Sequence, residues 1–249
     1  MPASAKKNKK EQTTTVFIDT SIFFSYLKPG TDTQPLQELK KLTKQGRISL
    51  LIPQQVKDEY YRSISRRIAI ERKSNKLQNQ KIEGFSEPAK TRIKDIIDQE
   101  IKSQERKTGE HFKKVDELIT SIFEEAQIIQ LSEGEEEELF KKVRLRYLKG
   151  NPPRKYKDDG KPQYDESYGD AINWELILTK ASGNDLVIIT YDTDYLDVSS
   201  GEDTQLLNRL LEDEWKKISK NKISVFKSLG KFINEIEKRE VIKKEIVEE

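Results

Sequence analysis

Val16-Phe17-Ile18-Asp19-Thr20-Ser21 sets three apolar residues ahead of an aspartate and two small hydroxyls. A short apolar run that ends in a polar turn reads as a buried strand, here Thr15 to Ile18, with Asp19 at its carboxyl end. The pattern returns at Leu186-Val187-Ile188-Ile189-Thr190, followed by Asp192 and Asp194. Ile48 to Ile52 and Ile223 to Phe226 read as two further strands. Stretches of helical periodicity fill the intervals. Strands alternating with helices indicate a central parallel sheet with helices on both faces, a three-layer α/β/α architecture. Carboxylates at the carboxyl ends of such strands converge on the crevice where open α/β sheets bind ligands.

The helices follow from spacing. One from about Gln34 to Lys44 carries Leu36, Leu39 and Leu42 and stops at Gly46. A short one covers Ile22 to Leu27. After Pro53 another places Val56, Tyr60, Ile64 and Ile68 on one face and Arg62, Arg66 and Arg67 on the other, with Glu59 one turn in. Residues 71–150 read as helical hairpins inserted into the α/β scheme. One helix begins near Pro88 and carries Ile93 to Ile101, and a second carries Val115 to Ala126. A third is capped by Ser132 and Glu135 and ended by Gly150, with Leu139, Phe140, Val143 and Tyr147 inward. Asn151 to Tyr168 is a polar loop. A helix from Asp170 to about Ser182 leads into Leu186, Leu206 to Leu211 mark another, and a charged amphipathic helix ends the chain.

Composition narrows the chemistry. The 249 residues suit one domain, read as 15–249 behind a disordered basic arm at 1–14. Charged residues (36%) outnumber apolar ones (34%), so the core is modest and much helix is solvated. A net charge of +2 leaves nucleic-acid affinity to local basic patches. The absence of cysteine excludes disulfides, thiolate zinc sites and cysteine nucleophiles. The one histidine, His111, lies far from the acidic motifs, which argues against a Ser-His-Asp triad or a histidine-rich zinc site. No apolar run approaches the roughly 18–20 residues of a membrane span. No apolar segment follows the basic start, so a cytoplasmic chain without a membrane partner is expected.

What remains is an acidic constellation of Asp19, Glu59, Asp170, Asp192 and Asp194. Each has an ordinary reading. Asp19 suits a strand-end turn, Asp170 an N-cap, Asp192 and Asp194 a polar turn, and Glu59 a solvated helix face. Together, without a cationic partner in the same motifs, they suit a hard divalent cation such as Mg²⁺ or Mn²⁺. Two such ions activate water and stabilise the leaving oxygen in phosphodiester hydrolysis with no histidine required.

Val16 to Ser21, Ile52-Pro53-Gln54-Gln55-Val56-Lys57-Asp58-Glu59, Gly169-Asp170-Ala171-Ile172-Asn173-Trp174 and Ile188 to Asp194 jointly resemble the motifs of a PIN-domain nuclease. Asn151-Pro152-Pro153, Lys157-Asp158 and the Gly-Asp-x-x-x-Trp pattern resemble a bacterial branch with a long helical insertion. The resemblance implies a PIN-like fold and a Mg²⁺- or Mn²⁺-dependent nuclease acting on RNA. Asp19, Glu59, Asp170 and Asp192 would be its catalytic and metal-binding quartet and Asp194 an accessory metal ligand. Thr20, Ser21 and Thr190 would hydrogen-bond the carboxylates or the substrate phosphate; Ser21 stands where many members carry Asn. The insertion is longer than in compact members, so the toxin–antitoxin role of many small members is not carried over directly.

Arg154, Lys155 and Lys157 precede Asp170 closely enough to reach a phosphate, though a Lys- and Asp-rich loop of this kind is usually only solvated. Arg62, Arg66 and Arg67 suit the flanking backbone of a single strand. Trp174 suits the core. Homodimerisation is a family habit that the insertion's apolar stripes would serve unless they pack on their own sheet. A protein partner or inhibitor is a further expectation. The alternatives are a structure-specific DNA nuclease, a toprim-type phosphotransferase, disfavoured because no glutamate ends the first strand, and a non-catalytic RNA-binding scaffold.

Overall fold

A computed structural model of the chain describes residues 13–76, 86–153, 168–197, 206–238 and 242. The basic arm expected at 1–14 lies outside these residues up to position 12, and so do Arg154, Lys155 and Lys157.

β1 (Thr14–Ile18) is the middle strand of a five-stranded, all-parallel sheet. The others are β2 (Ile48–Pro53), β3 (Gln127–Ile129), β4 (Leu186–Ile189) and β5 (Ile223–Phe226), in the order β3-β2-β1-β4-β5. Val16, Phe17, Ile18, Ile188 and Ile189 have no exposed surface, so both faces of the central strands are covered. That is why these strands read as unbroken apolar runs and not as alternation. The helices are α1 (Thr20–Ser25), α2 (Gln34–Lys44), α3 (Gln54–Lys76), α4 (Glu87–Glu125), α5 (Glu133–Lys149), α6 (Gly169–Lys180), α7 (Arg209–Ile218) and α8 (Leu229–Glu237). They flank the sheet in the three-layer α/β/α arrangement that the alternation of elements predicts. Among the described residues, no helix is long and apolar enough to cross a membrane.

Local chemistry sets several boundaries. α1 starts two residues earlier than expected because Asp19 caps it, its carboxylate accepting the Ser21 N–H. Gly46 follows α2 at φ +67°, and Gly150 ends α5 at φ +67°, the left-handed region that a side chain disfavours. At the start of α5, Glu135 accepts from the Ser132 N–H at 3.0 Å, as the capping-box pattern predicts.

Three differences from the sequence reading concern residues 71–150. First, the segment expected to hold only helices also supplies β3, which pairs with β2 from Leu51↔Gln127 to Pro53↔Ile129. Second, the expected hairpin between Ile101 and Val115 does not form. α4 runs unbroken through Lys102 to Lys114, where Gly109 is the only poor helix former, and one glycine costs about 1 kcal/mol without stopping a helix. Thr108, Phe112, Val115, Ile119, Ile122 and Phe123 form its buried stripe, so the carboxyl-terminal half of α4 belongs to the core. Third, Phe140 is 57% exposed, and the inward position is taken by Arg146, 5% exposed, in line with Leu139 and Val143.

The division within α4 is measurable. Ile119→Ala should cost about 2–5 kcal/mol of unfolding free energy in urea titrations. Ile96→Ala, at a position 66% exposed, should change it by no more than about 0.5 kcal/mol. Equal losses at the two positions would show that the two halves of α4 are packed alike.

Candidate metal centre

Strand order reverses between β1 and β4, and in open parallel sheets that is where the loops part to leave a crevice beyond the strands' carboxyl ends. Register delivers the side chains to it. Ile18 lies beside Ile189, so Asp19 and Thr190 are neighbours, and the Asp19 N–H donates to the Ile189 carbonyl at 2.9 Å. Thr190, fully buried, works in two directions. Its hydroxyl donates to Asp19 Oδ2 at 3.2 Å and accepts the Asp192 N–H at 2.9 Å. Asp192 in turn caps a turn of 3-10 helix, Thr193–Tyr195, accepting the Asp194 N–H at 3.0 Å.

The remaining acids come from helices. Asp170 sits within the first turn of α6, whose N-cap is Tyr168, so capping does not explain it. Glu59, half-buried on α3, accepts from the Thr20 hydroxyl at 2.8 Å. The Ser21 hydroxyl donates to Asp19 in a short hydrogen bond. Thr20, Ser21 and Thr190 therefore hydrogen-bond the carboxylates, one of the two partners that the resemblance implied.

Oxygens of Asp170, Asp192 and Asp194 all lie within 4.8 Å of one another, and all three residues are half-buried. Asp194, expected only as an accessory, is a full member of this trio. Asp19 and Glu59 stand outside it, and Asp192 connects them: the charges of Asp192 and Glu59 both act on Asp19. Burial pushes the Asp19 carboxyl above its ordinary range. The Ser21 hydroxyl and N–H oppose the shift, and the like charges of Asp192 and Glu59 add to it.

Sequence reasoning missed two residues here. Tyr195 is wholly buried, and its hydroxyl donates to the Asp170 carbonyl at 3.1 Å. Burial, and then the charges of Asp170, Asp19, Asp192 and Asp194, hold its phenol well above the usual tyrosine range, so it stays a donor. Asn173, one helical turn from Asp170, is 1% exposed, and its Oδ1 has no hydrogen-bond partner among the described residues. A polar residue in the same stripe as the buried Trp174 and Ile177 was the available signal for it.

The donor set fits a hard divalent cation. It consists of carboxylate oxygens, with no sulfur or imidazole, and like charges so close repel unless a cation offsets them. The orphaned Asn173 oxygen, one helical turn along α6 from Asp170, is of the kind that an ordered water or hydrated ion satisfies. Size does not choose the site: a cavity of about 790 Å³ at the amino ends of β1 and β2 is lined by Thr13, Ile48, Gln127 and Asn184, with Glu125 the one carboxylate among the described lining residues.

The raised Asp19 sets a pH dependence. A carboxyl with a raised folded pKa holds its proton more tightly when folded than when unfolded. The stability it contributes is thus lost as pH climbs above the ordinary value of 3.8. In metal-free protein, Asp19→Asn should raise the melting temperature at about pH 7 and change it little at about pH 4. Melts in chelator at both pH values check this, and a variant less stable than wild type near neutrality contradicts it.

A family model described as PIN domain matches residues 16–195, a span that runs from within β1 past β4 and takes in every acid of the centre. No curated protein and no solved structure gives a significant match. PIN domains are generally metal-dependent nucleases, and this chain belongs to the PIN-domain family.

Proposed function

We propose that the chain is an endoribonuclease that hydrolyses RNA phosphodiesters with Mg²⁺ or Mn²⁺. In this reading Asp170, Asp192 and Asp194 hold the ion, and Asp19 and Glu59 complete the acidic centre. The observation that carries it is the meeting of three carboxylates within 4.8 Å at the strand-order reversal. Bound there, a divalent cation supplies a Lewis acid for the phosphoryl oxygen and lowers the pKa of a water.

The chain's own residues do the rest. Thr190 fixes Asp19 and the Asp192 backbone together, so the two carboxylates cannot drift apart independently. Thr20 holds Glu59 toward the β1 end. Arg62, Arg66 and Arg67 are exposed on α3, the helix that carries Glu59, where they suit the backbone of a bound strand. Arg67 also lies over the Phe24 ring at 5.0 Å, which restrains one of these cations beside α1. The preference for RNA rests on the family likeness.

The test is cleavage of end-labelled single-stranded RNA and DNA with Mn²⁺, Mg²⁺ or chelator. RNA should be cut only with metal. Asp170→Asn should slow cutting at least about 100-fold, as losing several kcal/mol of charge stabilisation requires. Cutting of DNA alone removes the RNA assignment, and a fully active Asp170→Asn removes the site.

A further inference from the structure

Behind the acidic centre lies a buried polar cluster that the nuclease chemistry leaves unused. Arg146 of α5 donates through Nε and Nη2 to Glu175 Oε1 of α6, at 2.9 and 2.7 Å. Nη2 also donates to Glu214 Oε2 of α7 at 2.7 Å, and Nη1 donates to the Pro152 carbonyl. Glu214 Oε2 takes a second bond from Trp174 Nε1 of α6 at 2.8 Å. The Trp174 ring meets Tyr195 edge-on, with centroids 6.5 Å apart. Tyr195 then donates to the backbone carbonyl of Asp170. Contact runs without a gap from a buried guanidinium to the peptide of a residue in the metal trio.

Stability alone does not account for such a cluster, because an apolar set of similar volume often does as well. A guanidinium fork adds direction: it fixes two carboxylates, and with them α6 and α7, at one relative setting. α6 needs that restraint at its start, since its N-cap, Tyr168, makes no side-chain capping bond. Asp170 sits in that uncapped first turn.

We propose that Arg146, Glu214, Trp174 and Tyr195 form a positioning relay that sets Asp170 against Asp192 and Asp194. Divalent-cation affinity at the centre then depends on side chains that do not touch the ion. The inference rests on the metal-centre reading above.

Mn²⁺ alone is the probe, titrated into the metal-free full chain and followed by the paramagnetic resonance of the free ion. Trp174→Phe keeps a ring and removes one donor, and Tyr195→Phe removes one hydroxyl. Each should keep the wild-type circular dichroism and a cooperative melt, yet bind Mn²⁺ about tenfold more weakly, as supporting residues around metal ligands do. Arg146→Lys, which keeps the charge but not the fork, should lose a similar factor; if it does not fold, the two conservative variants carry the test. Because the relay acts as a unit, the double variant Trp174→Phe/Tyr195→Phe should be no weaker than the weaker single one. Folded variants with wild-type Mn²⁺ affinity overturn the relay and leave the metal centre standing. Loss confined to Tyr195→Phe overturns every member beyond Tyr195. A wild-type chain that binds no Mn²⁺ overturns the metal centre and the relay with it.

Discussion

Parallel hydrogen bonding between β1 and β4 holds Ile18 beside Ile189, and the carboxyl edge of the sheet takes its arrangement from that register. A slip of one residue would turn Asp19 to the opposite face and separate it from Thr190. With the register set, one buried hydroxyl reaches both the Asp19 carboxylate and the Asp192 backbone. The crevice and the meeting of Asp19, Thr190 and Asp192 are thus consequences of strand order and alignment, while Glu59 and Asp170 arrive on docked helices.

That arrangement gathers like charges, and the chain offsets part of the repulsion locally. Asp19 and Asp192 each accept a backbone N–H at the start of a helical turn, so the carboxylates of the centre also satisfy donors that the turns expose. Charge-assisted bonds of this kind contribute about 1.5–3 kcal/mol each, against the desolvation that raises Asp19. The ordinary reading of Asp19 and Asp192 as turn formers therefore holds, and it is compatible with the functional reading. A turn-forming aspartate at a strand end is already aimed at the crevice.

The buried Arg146 cluster follows different physics. Removing one member of such a network strands the other charges, at about 3–5 kcal/mol, whereas building it contributes little net stability. Its value lies in specifying how α5, α6 and α7 meet. In the proposed relay the Trp174 and Tyr195 rings carry that specification to the acidic centre, so the restraint on Asp170 begins at a guanidinium that none of the carboxylates of the trio contacts in the bonds described.

Periodicity and end signals in the sequence determined the central strands, the capped start and glycine end of α5, and the acids at the strand ends. These depend on neighbours within a few residues. β3 escaped because Gln127-Ile128-Ile129 is too short to show a period and is a strand only through pairing with β2. The continuity of α4 escaped because the charged stretch from Lys102 to Lys114 shows no apolar periodicity of its own, although Thr108 and Phe112 within it are buried. Arg146 and Tyr195 escaped for a shared reason: a residue buried on a partner distant in sequence carries no local mark of that partner. Which acids exist was written in the chain. Which of them stand within 4.8 Å was decided by the tertiary structure, because strand register and helix docking, not spacing along the chain, set distances across the crevice.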